Sequence, residues 1–296
     1  MAGLLSPKGW GSGGGVASWV GQDHRVIDTL LGTAADFGPG TLALLIVAAF
    51  GAGWVDAVVG GGGLIQLPAL LLVPGMVPVQ AAATNKLSSS LGTAVSAGTY
   101  LRRVGPEDRP QLRTAVPMAL VAGASAVLGA AGASALPDGV FVPIVLVALV
   151  AVGLYTLLKP EIGTVTVLRH QGSRHLWTAL AAGALIGGYD GLIGPGTGSF
   201  LVFALVGLLG YAFLAASATA KVVNLATNVG ALMLFATQGS VLWGLGLMMG
   251  GANVLGAYLG ARSAIKLGSG FVRTVFLIVV SVLILRLGWQ QVDRWT

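Results

Sequence analysis

The chain has 296 residues, of which 55% are hydrophobic and only 9% charged; 47 are glycine and none is cysteine. A soluble domain carries about 25% charged residues to keep its surface wet, so a soluble enzyme, a disordered chain and a disulfide-stapled scaffold are all poor readings at a mean hydropathy of +0.87. The absence of cysteine removes thiol catalysis and thiolate metal sites, and the net charge of +6 fits either nucleic acid or membrane loops. The composition predicts an all-α polytopic membrane protein, with glycine serving close helix packing.

Residues 1–38 form an extramembranous lead with Lys8, Arg25, three acids (Asp23, Asp28, Asp36) and a Gly-Ser run from Gly11 to Gly15. It lacks the apolar stretch of a signal peptide. It reads as a short interfacial helix near 26–35 or as a disordered tail. Apolar segments then recur at 41–59, 62–78, 80–100, 112–134, 140–158, 176–193, 197–213, 214–236, 240–262 and 270–290. A span needs about 20 residues to cross a ~30 Å hydrocarbon core. The second segment follows Gly60–Gly63 and is interrupted by Pro68, Pro74 and Pro78, and the seventh follows Gly194-Pro195-Gly196-Thr197-Gly198. Both are expected to be broken helices or re-entrant hairpins, which need protein or a wet cavity around their backbone.

Basic residues set the expected orientation. Ten of the 16 lie in three connections, 102–113, 159–174 and 262–273, whereas those at 137–139 and 237–239 have none. The positive-inside rule makes the three basic loops cytoplasmic, and ten crossings satisfy every assignment. The +6 balance is thus a record of topology rather than of nucleic-acid binding. The chain also repeats itself. Gly53-Trp54-Val55-Asp56 through Gly62 matches Gly187-Gly188-Tyr189-Asp190 through Gly196, Thr84-Asn85-Lys86 matches Thr219-Ala220-Lys221, and Val127-Leu128-Gly129-Ala130 returns as Val254-Leu255-Gly256-Ala257. The expected plan is a first repeat at 39–158, a basic linker at 159–175 and a second repeat at 176–296. Five crossings per half would invert the second copy. Inverted repeats with Gly/Pro-broken segments mark secondary transporters.

Four ionisable residues lie inside apolar segments: Asp56, Lys86, Asp190 and Lys221. Each costs roughly 2.5–3.5 kcal/mol at a membrane centre unless paired or hydrated. Ser89, Ser90 and Thr93 share a helix face with Lys86, as Asn224 and Asn228 do with Lys221. Thr84, Asn85 and Thr219 flank the lysines in the repeated motif. The glycine loops, through Gly61, Gly62, Gly63, Gly196 and Thr197, would present free N–H groups at helix starts. Three readings of the quartet follow: an oxyanion site on the lysines, a purely structural pairing of each lysine with Asp56 or Asp190, and a cation site on the aspartates. Protonation of either aspartate would leave a positive pocket, which admits proton coupling. The three histidines, His24, His170 and His175, are expected in tail or loop, and the tryptophans (Trp54, Trp177, Trp243, Trp289) at interfaces. No nucleotide motif follows Gly60–Gly63. No enzyme activity, metal or cofactor is expected.

At these residues the sequence resembles the TauE/SafE (sulfite exporter, TSUP) family. The resemblance rests on Gly53-Trp54-Val55-Asp56 through Gly60-Gly61-Gly62-Gly63-Leu64-Ile65, on Pro68, on Ala83-Thr84-Asn85-Lys86-Leu87 and on the degenerate second copy, over roughly 41–290. It implies secondary transport of a small sulfur-containing anion such as sulfite, sulfoacetate or another sulfonate, often outward, across a bacterial-type cytoplasmic membrane. The second copy lacks a counterpart of Asn85, so the halves need not contribute equally. The expected partners are the anion, the lipid bilayer and a coupling proton, with a homodimer as one compatible assembly. A cation/proton antiporter using Asp56 and Asp190, and a non-transporting scaffold or receptor, are the competing readings.

Overall fold

The structure, a computed structural model, describes residues 38–132, 158, 163–192 and 194–293. The expected lead and interfacial helix, the fifth segment apart from Leu158, the connection at 137–139 and Lys159 lie outside the described residues. Every regular element among the described residues is helical. Helix α1 (Pro39–Val59) begins with proline at its first position, where the missing N–H has no helical partner to lose. Then come α2 (Gly63–Leu71), α3 (Pro78–Arg103), a 3₁₀ turn at Pro106–Asp108 and α4 (Leu112–Gly132). Helix α5 (Gly172–Leu192) leads into α6 (Thr197–Ala204), which continues as a π-helical turn, Leu205–Leu209. Helix α7 (Phe213–Thr237) and a long α8 (Trp243–Asp293) complete the described chain.

Among the described residues, four stretches are long and apolar enough to cross a membrane: Pro39–Val59, Pro106–Gly132, Phe213–Thr237 and Trp243–Val282. The outside of the bundle is correspondingly oily, with Leu120, Leu128, Leu185 and Leu285 all about 70% exposed or more. The polar residues point inward, where Lys86, Asp190 and Lys221 are buried. That inside-out distribution is the one a bilayer solvent selects.

The second segment is helical only in part. At 1.5 Å per residue the nine-residue α2 is only about 13 Å long. It folds back on α1: Gly62 abuts Ala52 and Asp56, while Leu70 packs into the cluster holding Leu45 and Ala49. The result is a helical hairpin whose tip is Gly60–Gly62, with Gly60 and Gly61 at φ of 80° and 97°. Helix α6 folds back on α5 in the same manner. The Tyr189 hydroxyl donates to the Pro195 carbonyl near the tip (2.6 Å), and His175 Nε2 meets the Tyr211 hydroxyl at the other end (3.2 Å).

Two expectations need correction. His175 is not in a loop; it lies in the first turns of α5, buried and stacked on Tyr211. The basic run 262–273 is not a loop throughout: α8 is two helices that meet within it at Gly268 (φ 75°, ψ −173°), a conformation open to glycine at little strain, so the expected connection between segments nine and ten narrows to that glycine. Trp54 is half-buried and packs edge-on against Phe271 with ring centroids 6.2 Å apart.

Glycines let the helices touch backbone to backbone. A Cβ on Gly256 would stand 2.0 Å from the Phe50 carbonyl oxygen, joining α8 to α1; one on Gly191 would stand 1.9 Å from that of Ala126, joining α5 to α4. Gly251, on the outer face of α8, has nothing within 4 Å. Gly191→Ala is therefore expected to lose about 1–3 kcal/mol through overpacking, whereas Gly251→Ala is expected to be neutral or slightly stabilising. Thermal unfolding in detergent compares the two, and equal midpoints would remove the packing role assigned to Gly191.

Candidate functional site

Helices α3 and α7 cross the middle of the bundle antiparallel to each other. Each brings its lysine inward about two turns from its N-terminus. Both lysines are dry, Lys221 at 0% and Lys86 at 4% exposure, so neither can rely on water. Each takes the aspartate of the other half of the sequence. Lys86 Nζ lies 2.6 Å from Asp190 Oδ2, and Lys221 Nζ lies 3.0 Å from Asp56 Oδ2 while also donating to the Asp56 carbonyl.

Each aspartate also ties off its own hairpin tip. Asp56 Oδ1 accepts from the Gly62 N–H (3.4 Å), and Asp190 Oδ1 accepts from the Thr197 hydroxyl (2.6 Å). A bridge joins the two pairs: Lys86 Nζ donates to Asn228 Oδ1 (3.2 Å), Asn228 Nδ2 to Thr93 Oγ1 (3.4 Å), and Thr93 Oγ1 to Asp56 Oδ2 (3.5 Å). Charge and hydrogen bonding therefore run unbroken from Lys221 to Thr197 across the junction of the halves. Buried charges persist only when so paired and satisfied.

The two glycine tips meet at this junction. A Cβ on Gly60 would stand 2.1 Å from the Gly198 carbonyl carbon, and one on Gly198 would stand 2.5 Å from Gly60 Cα. Between them is a cavity of about 20 Å³ lined by Gly61, Gly63, Asn85, Lys86, Ser89, Asn224, Asn228, Gly196, Thr197 and both aspartates. A water needs roughly 10–15 Å³ of such space, so this gap holds about one water and no larger solute. A second cavity, of about 380 Å³, reaches the Lys86–Asp190 pair and Asn85 from the end of the bundle marked by Pro78 and Gln238. Two buried polar atoms beside the tips, Asn85 Oδ1 and Ser199 Oγ, have no protein partner. Helices α2 and α6 both start here; in their first turns Leu64 and Ile65 N–H donate to the Gly61 and Gly62 carbonyls, and Thr197 N–H to that of Gly194.

Most of the sequence-derived candidates thus converge, but two do not. Thr84 Oγ1 accepts from the Leu242 N–H (3.2 Å), anchoring the start of α8, and Thr219 is buried without lining either cavity. Each stands two positions before its lysine, which on a helix is nearly the opposite face. Sequence reasoning missed Ser217 and Tyr100, whose hydroxyls donate to the Val58 and Ala57 carbonyls (2.7 and 2.9 Å) at the end of α1. It also missed the buried Asn253–Gln66 amide pair between α8 and α2 (2.9 Å), signalled only by single amides in apolar runs.

The family described as Sulfite exporter TauE/SafE matches residues 45–287. A probable membrane transporter protein, ORF9, of a Sinorhizobium species is 41% identical over 83% of this chain and 92% of its own length. A probable membrane transporter protein of Haemophilus influenzae is 34% identical over 86% of this chain and 98% of its own. The probable membrane transporter protein YfcA of Escherichia coli K12 is 35% identical over 87% and 94%. No solved structure matches. With its match running nearly end to end through the helical bundle and across both hairpins, the chain belongs to the sulfite exporter TauE/SafE family of membrane transporters.

Proposed function

We propose that the protein is a multi-pass secondary transporter that exports a small sulfur-containing anion, sulfite or a sulfonate such as sulfoacetate, across the cytoplasmic membrane. The observation that carries this reading is the crosswise pairing of Lys86 with Asp190 and Lys221 with Asp56, where the two glycine tips meet. An anion needs donors, and the gap is lined by several: Lys86, the Asn85 and Asn228 amides and the Ser89 and Thr197 hydroxyls, with Lys221 held behind Asp56. The gap, at about 20 Å³, is too small for sulfite, so binding would require one lysine–aspartate pair to open and the tips to part. Protonation of the released aspartate would then supply the coupling proton.

Two inverted five-segment repeats fit the packing. Helix α1 packs on α8 as α5 packs on α4, and α3 meets α8 as α7 meets α4, while α3 and α7 pair with each other. Exchanging the halves maps that set of contacts onto itself, as an inverted duplication would. Alternating access would then rock one repeat against the other, with the 380 Å³ cavity as the outward vestibule and the arginine-rich ends cytoplasmic.

Proteoliposomes loaded with labelled sulfite, sulfoacetate, taurine or sodium test this directly. Wild-type protein is expected to move sulfite or sulfoacetate, and Asp56→Asn or Asp190→Asn to remove the dependence on a pH gradient. Sodium flux without anion flux would favour a cation antiporter, and absence of any flux would favour a scaffold.

A further inference from the structure

A second concentration of positive charge lies away from the central quartet, at the end of the bundle where α3 finishes. Arg103, in the last turn of α3, and Arg262, on α8, both lie over the ring of Tyr258, their guanidinium carbons 5.8 and 5.5 Å from its centroid. Arg262 Nη1 also donates to the Tyr258 hydroxyl (3.3 Å). Lys266 stands one turn further along α8. The three cations border an open groove of about 450 Å³ whose other walls are Leu259, Ser263 and Ile265.

Bringing three like charges together is unfavourable unless an anion answers them. Among the described residues no carboxylate lies within ion-pair distance of any of the three. The helix face leading to the groove is equally informative. Leu255, Leu259, Arg262 and Lys266 fall at spacings of four, three and four, one stripe of α8. Leu255 is 61% exposed and Leu259 47%, while Arg262 and Lys266 are also exposed. The stripe thus passes from oil to cation at the helix's polar end, with a hydroxyl, Ser263, beside the charge. An acyl chain followed by a phosphate has the same profile.

We infer that this groove is a binding site for the phosphate headgroup of an acidic phospholipid, held by Arg103, Arg262 and Lys266 with its chain along Leu255 and Leu259. A free phosphate ion would use the same cations but would gain nothing from the leucine stripe. Basic pockets between transmembrane helices select acidic headgroups in this way.

The test is lipid binding to the purified full-length protein in zwitterionic detergent, read by native mass spectrometry with phosphatidylglycerol, phosphatidylcholine and inorganic phosphate as probes. Phosphatidylglycerol is expected to be retained over phosphatidylcholine. Arg262→Gln should weaken retention about fivefold, and neutralising all three cations about a hundredfold. Arg109→Gln, an equal charge change at the same end but outside the groove, should leave retention unchanged. If the triple variant fails to fold, Arg262→Gln against Arg109→Gln still decides the matter. Equal losses in those two, no preference for the acidic lipid, or full displacement of the lipid by millimolar inorganic phosphate would each overturn the site. The readout does not depend on transport, so it stands or falls separately from the substrate proposed above.

Discussion

Lys86→Met should lose about 3–5 kcal/mol of stability, because removing one member of a buried pair strands the other's charge, here that of Asp190 at 1% exposure. Lys86→Met combined with Asp190→Asn should recover nearly all of it, since a neutral pair of similar volume is often as stable as the ion pair it replaces. Transport should not recover, because the donor to the substrate is gone. The same cycle on Lys221 and Asp56 should behave alike, though with a smaller penalty for the stranded carboxylate, as Asp56 is 15% exposed. Unfolding midpoints together with flux in proteoliposomes separate the two roles of each lysine. Anion flux at wild-type rate in the folded double variant would make Lys86 a structural tie only.

The meeting of the glycine tips gives the second large effect, and three glycines divide it into parts. Gly198 has ordinary helical geometry but abuts the Gly60 backbone; Gly75 has φ 79° and nothing within 4 Å; Gly60 has both φ 80° and the contact. An alanine at a glycine-only conformation costs about 1–3 kcal/mol, and overpacking costs a similar ~1–3 kcal/mol. Gly75→Ala should therefore lower stability while leaving flux per folded molecule intact. Gly198→Ala should abolish flux by forcing the tips apart, and Gly60→Ala should show both defects. Wild-type flux from Gly198→Ala would mean that the tip contact plays no part in transport.

The quartet itself was legible in the sequence, since Asp56 and Asp190, and Lys86 and Lys221, occupy matching places in the repeated motif. The choice of partner was not. Lys86 lies far nearer in sequence to Asp56, yet the antiparallel crossing of α3 and α7 carries it to Asp190. Helix phase separated true lining residues from motif neighbours: Asn224 and Asn228 share the face of Lys221, whereas Thr84 and Thr219 stand behind their lysines. Ser90 shares the face of Lys86 but spends its hydroxyl on the Lys86 carbonyl one turn back (2.7 Å). The hairpin folds were signalled by the glycine and proline breaks, while their lengths depended on tertiary packing. Nothing in the apolar pattern fixed α2 at nine residues, and the run 262–273 read as a loop because its charges suggested a surface.

The crosswise pairing bears on how membrane voltage would act on such a carrier. Whichever partner holds the proton in each lysine–aspartate pair, the pair sums to zero charge, and so does the network of both. An empty protein that reorients with its pairs closed would move no net charge through the electric field, and its return would be indifferent to voltage. The loaded step depends on the proton. With the released aspartate protonated beside a bound monoanion, the open lysine, the neutral acid and the anion also sum to zero, and the whole cycle would ignore voltage. With that aspartate left ionised, the loaded step would carry one negative charge and gain about 2.3 kcal/mol per 100 mV on leaving a cell that is negative inside, so voltage dependence of flux distinguishes proton-coupled from uncoupled export.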